Sequence, residues 1–166
     1  MVVTLSLADS AKQLGDLLKN RKLKLATAES CTGGGLSFWI TSIPGSSLWF
    51  DRGFVTYSDA AKVDMLNVKP DTLATFGAVS ELSAKEMALG ALQASHADLT
   101  IAITGIAGPD GGSLEKPVGT VWFAWANSDL VVESALHVFE GDRHSIRDSA
   151  IGKAFEYLLM ISSFGS

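Results

Sequence analysis

Ser30 and Cys31 stand side by side in the stretch TAESCTGGGLSF, Thr27 to Phe38, with an acid before them and three glycines after. A hydroxyl or thiol where a strand hands over to a helix faces backbone N–H groups that the helix itself leaves unpaired. Such donors hold an oxyanion or a phosphate, so the stretch reads as a nucleophile or as an anion cradle. A third reading has Ser30 or Thr32 doing no more than capping the helix. Three successive glycines cost a helix up to about 1 kcal/mol each, which calls for a reason such as close backbone approach to a ligand. The G-x-S-x-G signature of a hydrolase elbow is absent, and no His-Asp pair accompanies the serine.

A serine nucleophile needs a base, and no local pattern brings a histidine to Ser30. Lysine serves if it is neutral. In TYSDAAKVDML, Ser58 as N-cap makes Tyr57 the residue before the cap and Lys62 the fourth helical residue. Side chains at these two positions meet in a hydrophobic staple, so Tyr57 and Lys62 are expected to be neighbours. A lysine desolvated beside a polarising hydroxyl falls below its ordinary pKa of about 10.4 and becomes a base. The alternative is a solvated lysine on a short helix. Cys31 is a second candidate nucleophile, because a helix N-terminus activates a thiol as well.

Thr104 ends the apolar run LTIAIT just before the loop GIAGPDGGSLEKP, the usual place for ligand-facing residues in an α/β sheet. Arg143 and Arg147 lie one helical turn apart at the start of the last helix, where basic residues are unfavourable unless an anion is present. A phosphate-bearing substrate is one such anion. An acidic partner, or pairing of Arg147 with Asp148 or Glu156, is the other reading. His144 reads as solvated, and His96 and His137 as structural.

These residues need elements to position them. The periodicity predicts a helix over 8–21, a strand from Lys24 to Glu29, a helix from about Thr32 to Ile43, and a strand over 53–57. A short helix follows Ser58 to Leu66, and another opens at Ser80 or Ser83, with Ser83 and Glu86 at capping-box spacing. A buried strand spans Leu99 to Thr104; VGTVWFAWA and VVESALHVF read as paired strands; Gly141-Asp142 leads into a final helix. This order predicts an α/β fold, a mixed sheet covered by helices on both faces, in a single domain over 1–166.

Composition narrows the function class. With 13 Lys and Arg against 18 Asp and Glu, the net charge of -5 opposes non-specific attraction to nucleic acid. One cysteine and three scattered histidines lack ligand spacing, so a metal-free mechanism is expected. No apolar run approaches the ~18 residues of a membrane span, and the first residues lack signal-peptide features, so a cytoplasmic location is expected. Trp39, Trp49 and Phe50 are assigned to the core rather than to an interface.

The strings AESCTGG, GFVTYSDAAK, GAVSELSAKEMALGA, TGIAGPDGG, EKPVGTV and GDRHSIR occur together and in order. In this combination the chain resembles the CinA C-terminal domain family from about Ala8 to Ile161. The resemblance implies a three-layer α/β/α sandwich, a homo-oligomer, and nicotinamide-nucleotide amidase activity without metal or organic cofactor. It makes Ser30 the nucleophile and Lys62 its base, with Tyr57 and Thr104 completing the polar site. On that reading, backbone N–H groups of Thr32, Gly33 and Gly34 hold the oxyanion, Tyr57 orients Lys62 or relays a proton, and Thr104 bonds the carboxamide or the attacking hydroxyl. The substrate phosphate is placed near Arg143 or the loop carrying Gly108, Gly111 and Gly112. Asp59 stands where relatives often have Asn, and SFW after Gly35 replaces a more aliphatic pattern. The larger N-terminal domain of many members, with its pyrophosphatase chemistry, is expected to be missing. A non-catalytic nucleotide-binding or competence- and damage-linked module of the same fold is the alternative.

Overall fold

The computed structural model describes residues 5–164. Five strands form one sheet in the order β2-β1-β3-β4-β5, where β1 is Leu25–Glu29, β2 Phe50–Val55, β3 Leu99–Gly105, β4 Thr120–Asn127 and β5 Val132–Val138. β1 runs parallel to β2 and β3, while β4 and β5 are antiparallel to their neighbours. The sheet is mixed, as the element order predicted. β1 and β3 are almost wholly buried and read as continuous apolar or small-residue runs, the pattern of strands covered on both faces.

The helices are α1 (Leu7–Arg21), α2 (Gly35–Thr41), α3 (Asp59–Leu66), α4 (Pro70–Phe76), α5 (Glu81–Gln93) and α6 (Arg143–Ser163). From β1 the chain steps to β2 through α2, then crosses back over β1 to β3 through α3 to α5. Parallel crossovers share one hand, so opposite steps put α2 and α5 on opposite faces. Two cores result. Leu14, Leu18, Leu36, Ile40, Trp49, Phe123, Phe155 and Leu158 fill one, under α1, α2 and α6. Leu66, Met87, Ala88, Ala102 and Ala124 fill the other, under α3 and α5. Trp49 is fully buried, and Trp39 and Phe50 pack against the first core, as assigned.

Three expectations change. α2 begins at Gly35 rather than Thr32, because Gly33 and Gly34 adopt φ of 59° and 94°, left-handed values that no residue inside a right-handed helix takes. β2 ends at Val55, leaving Tyr57 in the connection to α3. The Ser83–Glu86 box does not form. Ser80 caps α5 through Ser83 N–H, while Glu86 reaches back to Lys69 N–H and Thr72 Oγ1 and so caps α4, a helix absent from the sequence reading.

Candidate active site

β1 and β3 end side by side, and the chain leaves them in opposite directions, which opens a crevice at their carboxyl ends. Ser30, the residue after β1, donates its backbone N–H to Ile103 O at 2.9 Å, and Thr56 N–H donates to Glu29 O at 2.9 Å. Parallel pairing thus continues one residue past both strands. It brings the start of α3 against Ser30.

Ser58 caps α3 by accepting from Ala61 N–H, which puts Lys62 in the first turn, pointing inward. Its side chain is 1% exposed. Nζ donates to Ser30 Oγ at 3.1 Å and to Thr56 O at 2.9 Å, with Tyr57 O at 3.5 Å. Burial holds the Lys62 ammonium below its ordinary pKa, with Asp59 and Cys31 pulling weakly the other way. The solvated-lysine reading is therefore excluded by position. Cys31 is 5% exposed, and burial pushes its thiol up to about 11, the opposite of an activated nucleophile.

The capping reading of Ser30 fails because another group does that work. Glu29, fully buried at the end of β1, accepts from Leu36 N–H at 2.9 Å and Ser37 N–H at 3.0 Å in the first turn of α2. It also accepts from the hydroxyls of Thr32 and Ser37, both at 2.7 Å. One carboxylate thus meets four donors, and the Ser30 hydroxyl remains for Lys62. Sequence reasoning missed Glu29. Its available signal was an acid closing a strand ahead of a helix whose own N-cap, Gly34, has no side chain.

Arg143 and Arg147 tie α6 to the crevice through carbonyl oxygens. Arg147 donates to Cys31 O and Thr32 O, both at 3.1 Å, instead of pairing with Asp148 or Glu156. Arg143 donates to Gly108 O at 2.6 Å and to Tyr57 Oη at 2.9 Å. The staple geometry is thereby corrected: Lys62 meets Tyr57 through the backbone carbonyl, while the phenol, 61% exposed, turns to Arg143. Thr104 is buried and donates its hydroxyl to Ala78 O at 2.8 Å.

A cavity of about 290 Å³ lies over this centre, lined by Ser30, Cys31, Tyr57, Lys62 and Thr104 and by the loop residues Gly108, Asp110 and Gly111, with Arg143 at its side. Thr32, Gly33, Gly34 and Gly112 are not in its lining. Gly33 N–H donates to Ser30 O at 3.0 Å and so is spent inside the turn. A larger cavity, about 820 Å³, lies at the other end of the sheet, where β3 begins, lined by Arg21, Leu99, Trp125, Glu133 and Phe164 among others. Among the described residues its lining contains no lysine, histidine or cysteine. His144 is exposed beside Asp148 at 3.4 Å, and His96 contributes its backbone N–H to Asp51 while its side chain is exposed. Among the described residues no group of three or more His, Cys, Asp or Glu side chains is placed to hold a metal ion, and no helix is long and apolar enough to cross a membrane.

The CinA C-terminal domain model matches residues 7–161. The chain belongs to the CinA C-terminal domain family. Its relatives in that family include the Escherichia coli protein named nicotinamide-nucleotide amidohydrolase PncC, 53% identical over 148 residues, which are 89% of this chain and 90% of the relative. A Pseudomonas putida protein of the same name is 44% identical over 92% of this chain and 95% of its own length. A longer relative, a putative competence-damage inducible protein of Symbiobacterium thermophilum, is 58% identical, with the match covering 34% of its length. Among solved CinA-superfamily structures, the competence/damage inducible protein CihA of Agrobacterium tumefaciens superposes with a TM-score of 0.91 at 42% identity, over 97% of this chain and 99% of that one. The α/β/α sandwich of the family is thus the fold of this chain.

Proposed function

We propose that this protein hydrolyses the carboxamide of nicotinamide mononucleotide, releasing ammonia and nicotinate mononucleotide, by a Ser-Lys mechanism. The observation that carries the reading is a buried lysine, lowered in pKa by burial, at 3.1 Å from the hydroxyl of an uncommitted serine. The substrate follows from the relatives named nicotinamide-nucleotide amidohydrolase, which align over nearly the whole chain.

Ser30 Oγ attacks the carboxamide carbon while neutral Lys62 Nζ takes the hydroxyl proton. The C–N bond breaks as the Lys62 ammonium returns that proton to the leaving nitrogen, giving ammonia and a nicotinoyl–serine ester. Water then adds to the ester carbon, Lys62 takes its proton, and the ester bond breaks with the proton passing to Ser30 Oγ. The oxyanion needs N–H donors other than Gly33, whose own is committed. Thr104 lines the cavity with a hydroxyl oxygen free to accept, and Tyr57 and Arg143 form its outer side, where the substrate phosphate is placed. The enzyme acts in the cytoplasm as a homo-oligomer on this reading.

Ammonia release from nicotinamide mononucleotide tests it, with Ser30→Ala and Lys62→Ala beside the wild type. Turnover that both substitutions abolish supports the amidase. A folded wild type that binds the nucleotide without turnover supports a binding module instead.

A further inference from the structure

The charged side chains at the Ser30 cavity are Lys62, Arg143 and Asp110. Lys62 is occupied by Ser30 Oγ and Thr56 O, and Arg143 is partly occupied by Gly108 O and Tyr57 Oη. Asp110 is the carboxylate of that lining. It is exposed and, among the described residues, takes part in no hydrogen bond or ion pair. Because Arg143 docks on Gly108, a guanidinium and an unpaired carboxylate stand two residues apart along one loop, at one cavity.

A site with both signs at its edge fits a ligand with both signs. Nicotinamide mononucleotide is such a ligand: its ring nitrogen is quaternary and permanently positive, and its phosphate is negative. The carboxamide is bonded to that ring, so the ring follows it to Ser30. Phosphate against Asp110 would set like charges together, whereas the ring at Asp110 and the phosphate at Arg143 satisfy both. We propose that Asp110 is a specificity-determining residue that reads the positive charge of the pyridinium ring. The site then takes cationic pyridinium mononucleotides and discriminates against the same nucleotide with a neutral dihydropyridine ring. This inference rests on the amidase reading above.

The test compares KM for nicotinamide mononucleotide with Ki for its reduced, neutral-ring form as a competitive inhibitor, in wild type, Asp110→Asn and Asp110→Glu. Asp110→Asn is expected to raise KM about fivefold, the worth of an exposed charge pair, and to leave Ki unchanged; Asp110→Glu restores most of the loss. The KM effect shrinks as salt is added. A parallel rise in KM and Ki overturns the proposal, because the carboxylate then serves a part that both nucleotides share. No change in either overturns it too. If wild type releases no ammonia, the amidase reading has failed separately. Calorimetric titration of Ser30→Ala, with and without Asp110→Asn, by the same two nucleotides then decides the role of Asp110 from affinity: selective weakening for the cationic ring supports it, and equal or no weakening overturns it.

Discussion

Glu29 accepts both the backbone N–H and the hydroxyl of Ser37, at 3.0 and 2.7 Å, and so a strand-end carboxylate caps the helix that follows Ser30. The cap separates two jobs that a single serine could otherwise be asked to do. Glu29 satisfies the helix, and Ser30 faces the lysine.

Removing that cap should cost stability first. Glu29→Ala leaves the buried Leu36 N–H and Thr32 hydroxyl and the half-buried Ser37 N–H without their acceptor. A loss of about 3 kcal/mol or more is expected in urea unfolding, since each buried unsatisfied group costs about 1–3 kcal/mol. Glu29→Gln, which replaces one acceptor oxygen by a donor, should fall between wild type and Glu29→Ala.

Lys62→Met should lower kcat/KM by roughly 10³-fold, within the range for loss of a general base. On the proposed mechanism the acid limb of the wild-type kcat/KM profile should lie below the ordinary lysine pKa, because burial favours the neutral amine and only that form can take a proton from Ser30. The stability sign is opposite to that of a paired lysine. With the folded pKa lowered, the unfolded chain binds more protons between the folded and unfolded values, so wild type gains stability relative to Lys62→Met as pH rises through that window. Unfolding of the two proteins from pH 7 to 10 measures it.

Cys31 should be dispensable for chemistry. Its thiol is buried and pushed up to about 11, so Cys31→Ala should keep kcat within a few fold and lose about 1 kcal/mol of stability, a typical buried truncation. Alkylation by iodoacetamide in the native protein should be slow. A kcat as low as that of Ser30→Ala would reassign the nucleophile to the thiol.

Arg147 should act on kcat rather than KM. Its guanidinium holds Cys31 O and Thr32 O, the carbonyls immediately after Ser30, and it does not line the cavity. Arg147→Met frees the turn. A misplacement of order 1 Å at a nucleophile costs up to about 10²-fold in rate, so a kcat fall of about 10-fold to 10²-fold with KM unchanged is expected in steady-state assays.

Much of the frame was legible locally. The α3 cap at Ser58, the α6 entry at Asp142 and the buried β3 run all follow from nearest-neighbour chemistry: an oxygen accepting from an N–H three residues on, or apolar side chains bounded by turn formers. α4 does carry local signals, Pro70 at its first position, Asp71 in its first turn and Gly77 after its end, which the sequence reading passed over; what no local pattern shows is that its acceptor Glu86 lies 17 residues from Lys69 and on another helix. The same distance effect misdirected the capping box and the Tyr57 phenol, since both side chains had a better partner elsewhere in the fold.

By itself the sequence determined the alternation of helices and strands and the small and polar residues at the strand ends, because periodicity, caps and turns are short-range, and the family resemblance offered Ser30 and Lys62 as a candidate pair. Only the tertiary structure decided what each polar group does. Whether Ser30 caps or attacks depends on Glu29 and on the strand pairing that carries α3 to it; whether Lys62 is charged depends on how deeply it is buried. Hydrogen-bond partners and desolvation are set by groups 32 residues apart in the chain, as for Ser30 and Lys62, and no local pattern encodes them.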